Sequence, residues 1–94
     1  MSSLKNKLQQ DQIRALKNHD QIELDILRFV IAQIKNKEIE KKADLSDEEV
    51  IMVLRKQAKE LQESIDSAKR ANRPDLIEYN EKQLSIINSY LPQD

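Results

Sequence analysis

Ser46-Asp47-Glu48-Glu49-Val50 decides the fold. A serine followed three residues later by a glutamate, just before an apolar run, is a capping box: the Ser46 oxygen accepts from the Glu49 N–H, and the Glu49 carboxylate reaches back to the Ser46 N–H. Asp47 and Glu48 add negative charge where the helix dipole is positive. Val50, Leu54, Ala58, Leu61, Ile65 and Ala68 come next, with Val53 beside them. That spacing is one apolar stripe on a helix, long and narrow, and it fits one half of a helical hairpin. Asn72 is placed to end this helix in the left-handed conformation, in a chain that contains no glycine. Pro74 opens the next helix at its first turn. Leu76, Ile77, Leu84, Ile87 and Leu91 are expected to face back, and Pro92 to end it.

Upstream, Gln21–Lys42 reads as a second helix. Ile22 to Ile34 is apolar nearly all round, which predicts a central helix covered on several sides. After Ile34 the helix turns polar and is expected to project beyond the core, with Glu38–Lys42 as an i, i+4 pair. The first helix reads as Leu4–Asn18, capped by Ser2 or Ser3, with Leu4, Leu8, Ala15 and Leu16 on a shared face. Ile13 falls outside that face. Asn18-His19-Asp20 makes the break, with Asp20 as the cap of the second helix. The expected fold class is therefore all-α: four helices, with a buried second helix and a hairpin of the third and fourth.

Ninety-four residues make one expected domain, 1–94, with a core but no deep enclosed pocket. No cysteine is present, so a disulfide framework or a thiolate metal site is excluded. A lone histidine, His19, cannot complete a metal site. No apolar run approaches the roughly 18 residues of a membrane span, and the polar start is not a signal peptide, so the expected location is cytoplasmic. The sequence has no glycine-rich phosphate loop and no nucleophile with a base at sensible spacing. No cofactor and no catalytic residue is expected.

Charge is uneven around a net of −1. Residues 35–42 and 55–73 are net basic, while 43–54 and 75–94 are net acidic. A modest basic strip is expected from Lys35, Lys37, Lys56, Lys59 and Arg73, with Asn36 either joining it or bonding a neighbouring helix. Arg28 sits in the most apolar stretch with Asp25 one turn earlier. The pair reads as a partly buried structural pair, the alternative being an arginine aimed at a phosphate or carboxylate. Tyr79 and Tyr90 are expected to pack with their hydroxyls at the surface.

The order of these elements carries a resemblance. Leu24-x3-Arg28-x3-Ala32-x-Ile34-Lys35-Asn36-x-Glu38-Ile39 is continued by Leu45-Ser46-Asp47-Glu48-Glu49-Val50-x2-Val53-Leu54, then by Lys56, Lys59 and Ser64-Ile65. Ala71-x-Arg73-x-Asp75-Leu76 and Tyr90-Leu91-Pro92 close it. The chain resembles the N-terminal helical part of the YqeY family over nearly its whole length. Members usually carry an apolar residue at the position of Gln12. The resemblance implies a helical module related to glutamine-dependent tRNA amidotransferase, a carbon–nitrogen ligase with glutamine as amido-nitrogen donor. That relation comes from likeness between the C-terminal half of the family and the tail domain of the amidotransferase B subunit. In other members this half lies beyond the position of Tyr90-Leu91-Pro92, and it is expected to be lacking here. The partners so implied are tRNA or amidotransferase subunits. The alternative is a protein-interaction or assembly module without catalysis, which pairs its narrow apolar stripe with a partner helix or with itself.

Overall fold

The computed structural model of the chain describes residues 2–92. Four helices run Ser3–Lys17 (α1), Gln21–Lys41 (α2), Asp47–Arg70 (α3) and Pro74–Asn88 (α4). Among the described residues there is no strand. The helix starts are chemical. Ser2 caps α1 by accepting from the Lys5 N–H at 3.0 Å, and Asp20 caps α2 by accepting from the Glu23 N–H at 3.2 Å. The capping box of α3 is complete in both directions: the Ser46 oxygen accepts from the Glu49 N–H at 3.2 Å, and Glu49 accepts from the Ser46 N–H at 2.9 Å. Pro74 takes the first position of α4.

The helix ends solve the absence of glycine in one way three times. His19, Lys42 and Asn72 adopt φ of 57°, 59° and 58°. At the ends of α1 and α3 the Asp20 N–H returns to the Ala15 carbonyl at 3.0 Å, and the Arg73 N–H to the Ala68 carbonyl at 2.9 Å. Both are Schellman closures. His19 and Asn72 are residue types that visit this region, whereas Lys42 was not expected there; α2 therefore stops one residue early. The fourth helix also ends early, at Asn88. Ser89 to Leu91 form a final turn before Pro92.

The α3–α4 hairpin is the most extensive packing in the molecule, and α1 against α2 comes second. Leu8, Leu27, Val30, Ile34, Val50, Leu54 and Ile87 are fully buried, so all four helices supply the core. Leu45, in the α2–α3 connection, joins them. The expected apolar stripe of α3 is buried except at Ala58, which is half-buried, and Gln57 is buried with it.

Four expectations fail at the surface. Leu16 is 53% exposed beside Ile13, because α1 turns it away from α2. Leu76 is exposed at the first turn of α4, ahead of the helix–helix contact. The second helix is covered on fewer sides than its composition predicts: Phe29 is 48% exposed, and Arg28 and Ala32 lie open next to it. Its polar end is exposed as read at every position from Lys35 to Lys42 but Glu38, and the expected Glu38–Lys42 pair does not form. Glu38 turns to Lys5 of α1 rather than to Lys42, with oxygens 2.7 Å and 2.8 Å from the Lys5 Nζ, and also accepts from the Leu45 N–H at 3.1 Å.

Candidate protein-docking cleft

Three helix termini meet at one end of the molecule: the starts of α1 and α3 and the end of α2. Asp47, the first residue of α3, accepts from the Ser2 and Ser3 hydroxyls and from the Leu4 N–H. Those bonds place its carboxylate at the positive end of α1 and hold its pKa below the ordinary carboxylate value, the Ser2 hydroxyl contributing most. Glu49 receives the Lys41 ammonium at 2.6 Å in addition to its capping bond. The lysine first, and then the Ser46 N–H, lower its pKa to about 2. The Lys5 ammonium and the Leu45 N–H lower that of Glu38. These contacts tie the end of α2 and the starts of α1 and α3 to one another.

Between α2 and α3 lies a cleft of about 310 Å³, lined by Lys37, Leu45, Glu49, Met52, Val53 and Lys56. Leu45 and Val53 are buried and form its floor, while the Met52 side chain stands 69% exposed at its lip. It continues into a second hollow of about 200 Å³ that adds Gln33, Asn36 and Glu40. Lys37 and Lys56 face each other across both. Among the described residues neither has a carboxylate within ion-pairing distance. Phe29 precedes Gln33 by one turn on the same flank of α2.

The candidate contact residues divide into separate places. Asn36, Lys37 and Lys56 line the cleft walls. Lys35 lies on another flank of α2, in a hollow with Glu38, Ile39, Ala43 and Asp44. Arg28, seven residues before it, shares that flank and is exposed. The expected Arg28–Asp25 pair does not form, because the Asp25 carboxylate accepts instead from the Tyr79 hydroxyl at 3.1 Å and from the Gln21 amide at 2.6 Å. Lys59 is exposed on the outward side of α3. Arg73 sits beyond the far end of α3, about 20 Å along the axis from Lys56, and lies 3.4 Å from Asp75. The seven residues therefore form no continuous strip.

Sequence reasoning missed the tyrosines' role. Their hydroxyls are not free at the surface: Tyr79 donates to Asp25 of α2 and Tyr90 to Asp11 of α1. Burial first, and then the neighbouring carboxylate, raise the pKa of both phenols. Lys7 lies 5.5 Å from the Tyr90 ring centroid, within cation–π range. Met52 falls outside the α3 stripe, so its spacing carries no sign of the cleft that α2 forms with it.

The family model described as Yqey-like protein matches residues 5–94, essentially the whole chain. The chain belongs to the YqeY family. No curated protein matches it in a sequence comparison. In this YqeY-family chain Glu49 of the capping box and Asn36 line the cleft, together with Lys37 and Met52, which fall on variable positions of the resemblance. Among the described residues no group of His, Cys, Asp or Glu is arranged to hold a metal ion, and no helix is long and apolar enough to cross a membrane.

Proposed function

We propose that this domain is an accessory docking module of the cytoplasm, related through its family to glutamine-dependent tRNA amidation and acting by binding rather than by catalysis. The observation that carries this reading is the α2–α3 cleft: an apolar floor, an exposed methionine at the lip, and two lysines on facing walls without partners among the described residues. Binding sites are commonly concave, mostly apolar and provided with a few placed polar groups. The amidotransferase subunits are the protein partner that the family relation implies.

A second reading, direct contact with tRNA phosphates, draws support from Asn36, Lys37 and Lys56 lining one cleft. Against it stand the dispersal of Arg28, Lys35, Lys59 and Arg73, and the acidic stretches at 43–54 and 75–94 that repel a phosphate backbone. Sedimentation of the chain with purified amidotransferase subunits, and separately with tRNA, tests the two. The expected result is a complex with the subunits that the Lys37→Glu/Lys56→Glu variant weakens, and only weak, salt-sensitive association with tRNA. Tight, salt-insensitive and tRNA-selective binding overturns the docking reading.

A further inference from the structure

We infer that the α2–α3 cleft takes an acidic amphipathic helix of a partner protein, whose apolar side chains sit on Leu45, Met52 and Val53 and whose carboxylates meet Lys37 and Lys56. The inference rests on the docking reading and names the class of partner. Its first ground is charge complementarity. Lys37 and Lys56 have no carboxylate in reach among the described residues, while Glu49, at one end of the cleft, is already committed to Lys41 and to the Ser46 N–H. Glu40 on the α2 wall of the adjoining hollow sets one carboxylate against these two lysines, and in the main cleft an occupant meets both ammoniums beside an apolar floor.

The second ground is shape. On α3 the lining runs from Glu49 to Lys56, about 10 Å at the rise of an α-helix, and the α2 wall from Gln33 to Glu40 is as long. Two turns of a docked helix span that length and present apolar residues at i, i+3 and i+4, the usual pattern of helix-in-groove recognition. A volume near 310 Å³ holds a small number of such anchors.

The same features argue against other occupants. A nucleic acid pairs its phosphates with the lysines but leaves Met52 and Val53 covered by nothing suited to them, and the lining contains no aromatic ring on which a base stacks. A second copy of this chain docked cleft to cleft sets Lys37 and Lys56 against their own counterparts, and like charges so placed repel.

The test is binding of the full chain, isotope-labelled for NMR, to a synthetic amphipathic helix with leucines at i, i+3 and i+4 and glutamates on both flanks. Binding is expected to shift the amides of Lys37, Met52, Val53 and Lys56, and to weaken with salt. Lys37→Glu/Lys56→Glu is expected to weaken it about tenfold and to bind a peptide with lysines in place of the glutamates, whereas Lys59→Glu leaves affinity unchanged. Circular dichroism establishes that each variant is folded. Equal affinity for a glutamine-flanked peptide, shifts located elsewhere, tighter binding of single-stranded RNA at these residues, or dimerisation through them each overturns the inference. If the peptides fail while Met52→Asp still abolishes binding of amidotransferase subunits, the partner class falls and the docking reading stands. If Met52→Asp affects neither, both fall.

Discussion

The Lys5 ammonium lies 2.7 Å and 2.8 Å from the two carboxylate oxygens of Glu38, joining the first turn of α1 to the last turns of α2. Both side chains are largely sheltered, and Glu38 also accepts from the Leu45 N–H. The two partners are therefore not equivalent. Lys5→Ala breaks one ion pair and is expected to cost about 1 kcal/mol or less. Glu38→Ala also leaves the Leu45 N–H without an acceptor at the edge of the core, and is expected to cost about 1–3 kcal/mol. Denaturant unfolding of the two variants measures the asymmetry; equal losses contradict it.

Lys42 holds a left-handed backbone at φ 59° without the conformational freedom of glycine. Lys42→Gly is expected to stabilise the fold by about 1 kcal/mol. The gain from Asn72→Gly is smaller, because asparagine tolerates this region better. A rise in the denaturation midpoint at unchanged slope checks this. Destabilisation by Lys42→Gly shows that the lysine side chain does more there than occupy a turn.

Acid weakens the junction where the three helix termini meet. The pKa of Glu49 is lowered from 4.5 to about 2, and those of Glu38 and Asp47 are lowered as well. A depressed carboxylate contributes stability that is fully present above its unfolded pKa and is lost as pH falls through the folded value. For Glu49 that window runs from about pH 4.5 down to about 2. Melting temperature is expected to fall across it, and Glu49→Gln to flatten the fall while lowering stability at neutral pH. An unchanged slope in the variant contradicts the assignment.

Tyr79 ties α4 to α2 through Asp25, and Tyr90 ties its end to α1 through Asp11. Tyr79→Phe is expected to cost about 0.5–1.5 kcal/mol, the net worth of one hydrogen bond. Both phenols titrate above their ordinary value in the folded chain, so the stability they contribute is present below pH 10 and lost as pH rises beyond it. Spectrophotometric titration is expected to show phenolate formation delayed relative to the denatured chain. Coincident curves rule this out.

Local signals in the sequence carried most of the fold. Ser46, Asp20 and Ser2 announce helix starts because a cap needs only a side-chain oxygen and the next turn. Asn72 and His19 announce helix ends for a similar reason. Arg28, Phe29, Leu16 and Leu76 were misjudged because an apolar neighbourhood in sequence does not say how far neighbouring helices extend over it. The cleft was half legible: Asn36, Lys37 and Lys56 stood out by charge and spacing, whereas Met52 and the partnering of Glu49 by Lys41 depend on the angle between two helices. Those two helices are each joined to the start of α1 by Glu38–Lys5 and Asp47–Ser2, contacts between residues 33 and 45 positions apart.

Photo-cross-linking tests the docking account most directly. A benzophenone amino acid is placed at Met52, at the lip of the cleft, and in a second protein at Arg73, at the far end of α3. Each is irradiated with a mixture of purified amidotransferase subunits and tRNA. The account predicts a protein adduct from position 52, suppressed by Lys37→Glu/Lys56→Glu, and none from position 73. Adducts to tRNA from position 52, or protein adducts from position 73 only, contradict it.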